Sequence, residues 1–403
     1  MGQITRYEYK TQDEWLKLRS SLADRLGGSE LGIAAGHSQY TSPYTMFCEK
    51  VGLIQPKDIS QKEAIIQGHD LEEYVAQRFT RKTGKKVHPE LCIFTNSDAP
   101  NLKASIDRKV DDEDSGLECK TCRDMVMRKF PKGDFPQGYY DQCACYLKVT
   151  ELKRWYLAML VFGTDFKVFL MTTVKEEYDR YAFLKNKLDN EIPLTEDEVK
   201  EWDMNYDYLE ACYYIDKAEL DACQFLAKTF IDRVGDYLHG NINAWPTEEI
   251  DGSDSTMKTI LGLKPVYTPE SCVKFAEGEK HGQDLVTGEF LPEMETSNIL
   301  PYVEQRFETA KVMKELKDEL SRLDGILMEK MKEKECFLFP KYKVTCKPSS
   351  PRKMASVEKV EEYFAKKHLE VPEGLVYYTK SNLGIKVSAY EEKSKKKRER
   401  AKH

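Results

Sequence analysis

The sequence lacks the features that mark a membrane or an exported protein. No apolar run approaches the roughly 20 residues that a membrane-spanning helix needs, so we expect no membrane partner. The first residues, Met1-Gly-Gln-Ile-Thr-Arg-Tyr-Glu, lack the basic-then-apolar pattern of a signal peptide. The 11 cysteines are odd in number and scattered. Without an export signal, this usage predicts reduced thiols and a cytoplasmic protein.

An excess of basic residues is lacking too. The formal net charge is -7, which argues against a surface built for indiscriminate nucleic-acid binding. A local basic channel remains compatible with this value, because the steering of a charged ligand depends on where the charges lie. The chain has 403 residues, of which 40% are hydrophobic and 33% are charged. It is therefore long enough for about two or three soluble domains.

The stretch from Asn101 to Thr121 predicts a β-hairpin. Two β-leaning runs flank Asp111-Asp-Glu-Asp-Ser-Gly116, whose composition is that of a solvated turn. If the turn is centred near Asp112 and Glu113, Asp107 lies opposite Glu118 on the neighbouring strand.

That register predicts which charged side chains lie close together. Because side chains alternate along a strand, Glu118 and Lys120 share one face and Cys119 points to the other. Two carboxylates, from Asp107 and Glu118, then crowd one patch of sheet with a lysine. A divalent cation between the carboxylates and a phosphate facing the lysine would suit this patch.

Helices are predicted on both sides of the hairpin. From Gln61 to Thr80 an apolar stripe predicts a helix that carries Glu72. After the hairpin, Tyr139 and Gln142 are three residues apart in a second helix, so they share one of its faces. Further on, alternating aromatic and aliphatic residues between 151 and 171 predict two adjacent strands.

Paired glycines precede Ser29. They predict a tight turn with exposed backbone amides and then a helix N-terminus, a geometry that favours an anion. An ordinary capped helix start explains the same residues, and on local sequence alone it is the better explanation.

The remainder of the chain is predicted to be mainly helical. Residues 241–284 are loop-like, and a long helix is predicted over 301–335. This helix has a heptad-like seam, compatible with a coiled coil, a subunit contact or packing on its own domain. The seam consists of Met313, Leu316, Leu320, Leu323 and Leu327. A small α+β unit over 341–387 and the basic tail Lys395–Lys402 follow.

The ordered motifs resemble those of the YqaJ-type viral recombinases, relatives of lambda exonuclease within the PD-(D/E)XK nuclease superfamily. The resemblance covers roughly residues 10–172 and continues more loosely beyond them. Its motifs are Gly27-Gly-Ser29, Gly68-His-x-Leu-Glu72, Ala104-Ser-Ile-Asp107, Leu117-Glu118-x-Lys120 and Tyr139-x-x-Gln142.

The resemblance implies an α+β (α/β) fold. It implies a PD-(D/E)XK restriction-endonuclease-like core with a mixed central sheet flanked by helices and a helical C-terminal extension. We accordingly expect the nuclease core at 1–172, a helical extension at 173–300 with an insertion at 175–212, and a third segment at 301–403.

The resemblance also implies roles for individual residues. Asp107 and Glu118 would ligate Mg²⁺, or Mn²⁺ in its place, with the carbonyl of Cys119. Glu72 would complete or position a second ion. Lys120 would hold the attacking hydroxide and the scissile phosphate. In support of these groups, the resemblance implies orienting roles for Gln142 and Tyr139.

A 5′-phosphate site is implied at Ser29 together with an arginine. Arg19 matches the family's arginine by its position after Trp15, whereas Arg25 lies closer to the turn, so both remain candidates. Tethering that phosphate would make digestion of duplex DNA run 5′ to 3′ and leave 3′ single-stranded tails. The expected partners are DNA ends, a single-strand annealing protein and further copies of the chain, a trimer by family resemblance. The expected setting is a bacterial cytoplasm, with the protein encoded by a phage or prophage.

Two alternatives stay open from the sequence. One is a non-catalytic DNA-end-binding recombination protein, and the other is an endonuclease of the same superfamily, since a shared fold does not separate the two activities. Cys119-x-x-Cys122 and Cys143-x-Cys145 lie near the same motifs. An iron–sulfur or zinc site there is not expected, because the two cysteines of the second pair point about 200° apart on a helix.

Overall fold

In the computed structural model, structure is described for residues 2–162, 165–263, 293–331, 336–338, 343–345 and 365–366. The chain divides into two compact units, Met1–Pro265 and Val266–His403. The strands of the first unit are β1 Ile4–Glu8, β2 Val87–Pro89, β3 Cys92–Asn96, β4 Ala99–Ser105, β5 Arg108–Val110, β6 Ser115–Arg123, β7 Arg154–Phe162, β8 Asp165–Thr172 and β9 Ala211–Tyr214. Its helices are α1 Gln12–Ser21, α2 Gly28–Ala34, α3 Pro43–Lys50, α4 Glu63–Thr83, α5 Asp124–Met127, α6 Gln137–Thr150, α7 Lys175–Asp189, α8 Glu196–Asn205, α9 Lys217–Leu238 and α10 Asp254–Leu263.

A six-stranded mixed sheet forms the centre of this unit, in the order β2-β5-β6-β7-β8-β9. The β6–β7 and β8–β9 pairs are parallel, and the other pairs are antiparallel. Strands β7 and β8 are apolar along most of their length because helices cover both faces of the sheet. The predicted mixed sheet flanked by helices is confirmed.

Alternation along β7 separates two hydrophobic cores. Trp155, Leu157 and Met159 face the core that α2, α3, α6 and α9 cover. Tyr156 and Ala158 face the core that α4 and α7 cover. The predicted helix over Gln61–Thr80 is α4, and its buried residues Val75, Ala76 and Phe79 lie in the second core.

The segment expected as an insertion, 175–212, belongs to the sheet and its cover. Strand β9 pairs with β8 and adds a sixth strand. Tyr181, Leu184 and Tyr206 are buried in the core that α4 covers. The first compact unit therefore runs well past residue 172, while the expected domain boundaries themselves stay predictions.

Part of the region expected as loop-like is helical. Helix α10 packs on α3 through a row of buried hydroxyl groups. Thr45 Oγ1 lies 2.9 Å from Thr259 Oγ1, and Thr256 Oγ1 donates to Ser42 Oγ at 2.7 Å. Composition suggested a loop because serine and threonine favour caps and turns. In the structure their hydroxyl groups form hydrogen bonds between α3 and α10.

A long helix, Glu293–Met331 (α11), is the main described element of the second unit, and the short pair Cys336–Leu338 and Lys343–Thr345 is antiparallel. The helix contains the predicted seam, whose residues are exposed by between 43% and 64%. Its role as a coiled coil stays a prediction. The remainder of the expected α+β unit and the basic tail lie outside the described residues.

Candidate active site

Asp107 lies where the chain passes from one sheet to another. Strand β4 belongs to a three-stranded sheet with β1 and β3, whereas β5 belongs to the six-stranded sheet. In the β5–β6 ladder Arg108 pairs with Leu117, so Asp107 lies opposite Glu118, as the hairpin predicted. The Cys119 amide donates to Asp107 Oδ2 at 2.8 Å. That bond holds the carboxylate against β6.

Glu118 is almost completely buried, with 1% of its surface exposed. Its Oε1 accepts hydrogen bonds from Lys120 Nζ and from Gln142 Nε2, the latter at 2.8 Å. Its Oε2 is also buried, and no group in the described part of the chain donates to it. One oxygen is therefore held by the protein and the other is left for a ligand.

Lys120 and helix α6 complete this group. The Lys120 ammonium lies 5.3 Å from the centre of the Tyr139 ring, a cation–π distance. Gln142 Nε2 also contacts the Tyr146 hydroxyl at 2.6 Å, so the amide is fixed from two sides. We call Asp107, Glu118 and Lys120 the carboxylate corner.

Burial and mutual repulsion shift the protonation of the carboxylate corner. Burial, followed by the charge of Glu118, raises the pKa of Asp107 well above its ordinary value. Burial also raises the pKa of Glu118, against the opposing charge of Lys120. For Lys120 burial lowers the pKa, but the charges of Glu118 and Asp107 raise it more, so its pKa lies above the ordinary value. The ammonium therefore stays charged at neutral pH.

Glu72 is placed nearby but has a different partner. Its Oε1 accepts from Arg108 Nη1 at 2.5 Å, and Arg108 Nη1 also donates to the Asp107 carbonyl at 2.8 Å. Arg108 is itself buried and contacts Glu73 as well. The arginine thus joins α4 to the hairpin, with Glu72 in an ion pair.

The second group surrounds the paired glycines at the start of α2. We call Arg19, Gly27, Gly28, Ser29 and Lys103 the glycine corner. The Gly27 amide donates to Glu30 Oε2 at 2.8 Å, so the helix start is capped by its own glutamate. The ordinary capped helix start is therefore what the structure contains, and that amide already has an acceptor.

Gly28 is required by close packing. A Cβ at this position would lie 2.8 Å from Gln142 Cγ and 2.8 Å from Tyr146 Cε1. Only glycine lets the turn approach helix α6 this closely. The glycine corner and the carboxylate corner thereby share Gln142 as a neighbour.

The two candidate arginines are placed differently. Arg19 lies in the last turn of α1, and its guanidinium stacks over the Trp15 ring at 5.2 Å. Arg25 Nη1 donates to both oxygens of Asp24, at 2.6 and 2.8 Å. Arg19 lines the cavity described next, and Arg25 is absent from that lining.

A cavity of about 540 Å³ connects the two corners. Its wall contains both carboxylates and Lys120 at one end and Arg19, Ser29 and Lys103 at the other. Glu72, Gln142 and the backbone around Cys119 also contribute. Of the predicted site residues, only Arg25 and Tyr139 are absent from the wall. Tyr139 is nevertheless a neighbour of Lys120, through the cation–π contact given above.

The carboxylate corner offers oxygen ligands to a divalent cation. Glu118 Oε2 is a buried oxygen that no donor among the described residues satisfies, beside the partly buried carboxylate of Asp107, and hard oxygen ligands of this kind suit Mg²⁺. Within the described residues, no group of three or more His, Cys, Asp or Glu side chains is arranged to hold a metal ion. The fit therefore depends on two carboxylates and backbone oxygen, without Glu72.

Sequence reasoning missed several residues of the cavity and its support. Tyr146 follows Gln142 by four residues on the same helix face, a spacing that could have identified it. Arg108 and Lys103 carried no such signal, because charged residues in strands usually face solvent. Both are buried, with 8% and 5% of their surface exposed.

Comparisons with known proteins agree with the motif pattern. Residues 14–153 match the family model described as YqaJ-like viral recombinase domain. The chain is 32% identical over 158 residues to the uncharacterized protein YqaJ of Bacillus subtilis (strain 168), across 39% of this chain. The match spans about half of that relative, 48% of its length.

Two solved structures are also similar over part of the chain. An alkaline exonuclease (LHK-Exo) from Laribacter hongkongensis is 16% identical, with a TM-score of 0.30 over 53% of this chain and 96% of the other. Its complex with dAMP gives 17% identity and a TM-score of 0.32, with the same coverage. Residues 14–153 of this chain are therefore similar to a YqaJ-like viral recombinase domain.

Proposed function

We propose that this protein is a deoxyribonuclease: a Mg²⁺-dependent 5′-to-3′ exonuclease that acts on double-stranded DNA ends and leaves 3′ single-stranded tails for recombination. The observation that carries the proposal is the carboxylate corner. The buried Glu118 on β6 lies opposite the partly buried Asp107, which immediately precedes β5; a lysine stands beside them, and Glu118 Oε2 lacks a donor among the described residues. The family match over residues 14–153 supports a role in recombination.

The chain's own residues can perform the steps of phosphodiester hydrolysis. Asp107, Glu118 and the Cys119 carbonyl would hold Mg²⁺, for which Mn²⁺ can substitute. When bound, the ion supplies Lewis-acid activation of water and neutralises charge on the phosphate. Lys120 holds the attacking water and the scissile phosphate with its mobile donors. Gln142 fixes Glu118, and Tyr139 covers the ammonium, so both keep the charged groups aligned.

The glycine corner would bind the 5′-phosphate of a DNA end. Arg19 is the better candidate of the two arginines, because it lines the cavity that also contains the carboxylate corner. Ser29 is exposed at the same end of the cavity. Phosphate held there would limit attack to the terminal nucleotides, which favours an exonuclease over an endonuclease.

Glu72 keeps a supporting role in this proposal. Its ion pair with Arg108 places it next to Asp107 without making it a ligand of the first ion. Binding of a second ion there requires Glu72 to leave Arg108. The cellular setting that we propose is a bacterial cytoplasm, with a phage or prophage gene, an annealing-protein partner and a homo-oligomer, a trimer by family resemblance.

The test is degradation of end-labelled linear duplex DNA in Mg²⁺, with and without a 5′-phosphate, beside a closed circle. Wild type and Asp107→Ala are compared in parallel. We expect loss of one strand from phosphorylated ends, and no loss in the variant or on circles. Cutting of circles would indicate an endonuclease. Binding of ends without cleavage by the wild type would overturn the proposal and leave a non-catalytic end-binding protein.

A further inference from the structure

Lys103 is a buried cation of the glycine corner, and the steps proposed above assign no role to its ammonium. It lies on β4, and only 5% of its surface is exposed. Its ammonium donates to the carbonyl oxygens of Arg19, at 3.0 Å, and Leu22, at 2.8 Å. Both carbonyls lie at the C-terminal end of α1, where helical amides run out; the Leu22 carbonyl also accepts from the Arg25 amide at 3.2 Å. Lys103 therefore closes the C-terminal end of the helix that carries Arg19.

The backbone of the same residue holds the glycine turn. The Lys103 amide donates to the Leu26 carbonyl at 2.9 Å, and the Leu26 amide donates to the Asn101 carbonyl at 2.8 Å. Leu26 immediately precedes Gly27 and is itself fully buried. Strand β4 thus fixes both the end of α1 and the start of the turn, through Lys103 and Asn101.

The charge on Lys103 has an electrostatic cost. Burial lowers the pKa of this lysine to about 8, against the attraction of Glu30. The other charged groups that face it are Lys50 on α3, Arg19 on α1 and Asp24 in the connecting loop. Glu30 is itself paired with Lys50 at 3.1 Å. A methionine would fill the same space without this cost, but it would remove the donor to the Arg19 and Leu22 carbonyls.

We propose that Lys103 is a positioning residue that holds Arg19 against the cavity and so determines the preference for 5′-phosphorylated over 5′-hydroxyl DNA ends. The inference rests on the proposed function, because it assigns the glycine corner to a DNA terminus. It concerns end recognition, and the carboxylate corner is not part of it.

The test measures binding of two short duplexes that differ only in a 5′-phosphate or a 5′-hydroxyl, by fluorescence anisotropy without divalent metal. Degradation of both duplexes in Mg²⁺ is measured alongside. We expect wild type to prefer the phosphorylated end. Lys103→Met should reduce that preference about 5- to 10-fold and leave the affinity for the hydroxyl end within about 2-fold, because one charged contact to phosphate is misplaced.

Two further variants separate positioning from folding. Arg19→Gln should remove the same preference, and the double variant should lose no more than Arg19→Gln alone, because Lys103 acts through Arg19. Lys103→Arg keeps a charged donor and should keep most of the preference. The control is Lys82→Met, at an exposed lysine whose ammonium also donates to a backbone carbonyl, that of Phe166 at 3.0 Å, outside the cavity wall.

The outcomes distinguish this inference from the proposed function. An equal loss of affinity for both ends in Lys103→Met and Lys103→Arg would show a purely structural lysine and overturn the inference. An unchanged preference in a folded Lys103→Met, or a wild type without any preference, would also overturn it. If wild type prefers phosphorylated ends but degrades neither duplex, the nuclease proposal fails and the inference about Lys103 is still decided by the binding data.

Discussion

The two ends of the cavity are built in opposite ways. In the carboxylate corner, the buried Glu118 lies beside the partly buried Asp107, a side chain of like charge, and one oxygen of Glu118 has no donor among the described residues. In the glycine corner, the groups reported above are satisfied: Gly27 by Glu30, and the end of α1 by Lys103. We expect the first corner to gain free energy if a cation binds, whereas the second is already held in place by hydrogen bonds within the protein. The difference indicates where function opposes stability and where it does not.

Among substitutions at the two corners, we expect Glu118→Gln to have the largest effect. The amide oxygen can still accept from Lys120 and Gln142, and its NH₂ group can donate towards Asp107. We expect the rate of DNA degradation to fall on the order of 1000-fold, because the proposed metal ligand and its charge are lost. Without divalent metal, the melting temperature should be equal to or higher than that of wild type, since buried repulsion is relieved.

Calorimetry with and without Mg²⁺ checks this prediction. Added Mg²⁺ should raise the melting temperature of wild type and leave that of Glu118→Gln unchanged. The control is Asp112→Asn in the turn, where φ is 58° and asparagine tolerates the left-handed conformation. A large loss of stability in Glu118→Gln would contradict the view that repulsion between the Asp107 and Glu118 carboxylates destabilises this corner.

Gly28→Ala should disturb the glycine corner through contact alone. The new Cβ would meet Gln142 and Tyr146 at 2.8 Å, so helix α6 or the turn must move. We expect a loss of unfolding free energy of about 1–3 kcal/mol, measured by urea denaturation. Because Gln142 also holds Glu118, degradation should slow as well.

The control for this substitution is Gly235→Ala in helix α9. A Cβ there meets no atom within 4 Å. The change should stabilise the protein by about 0.5–1 kcal/mol, because alanine favours a helix more than glycine does. Equal effects of the two substitutions would show that the close approach at Gly28 is unimportant.

The buried charge of Lys103 predicts a smaller effect, on the pH dependence of stability. Its pKa is about 8 in the folded protein, against 10.5 as the reference value. Between these pH values the unfolded chain binds more protons, so stability rises with pH across that window. Compared with Lys103→Met, wild type should therefore gain unfolding free energy from pH 8 to pH 10.5. Urea denaturation of both proteins across that range checks the prediction. If the unfolding free energies of the two proteins change with pH in parallel, the prediction is wrong.

The smallest effect is expected from Arg25→Gln. Arg25 pairs with Asp24 and does not line the cavity, so removing its charge should alter stability by no more than about 0.5 kcal/mol. The preference for 5′-phosphorylated ends should stay within about 2-fold of wild type. A loss as large as that of Arg19→Gln would reverse the assignment of the phosphate-binding arginine.

Local pattern alone predicted much of the carboxylate corner. The acidic turn and the flanking β-leaning runs set the register that places Asp107 opposite Glu118. Alternation placed Cys119 on the other face, where it joins the core that α4 covers. The spacing of Tyr139 and Gln142 placed both on one face of α6. These features depend on neighbours within one hairpin or one helical turn, and such short-range geometry can be read from the sequence.

Only the tertiary structure decided how the corners are supported. Lys103 and Arg108 are polar residues in strands, and nothing local shows that each is buried against a distant helix. The pairing of Glu72 with Arg108, the choice of Arg19 over Arg25 at the cavity and the sixth strand from 211–214 likewise join residues far apart in sequence. Periodicity and spacing determine which residues share a face. Which faces meet, and which charges are buried there, is decided when the separate elements pack together.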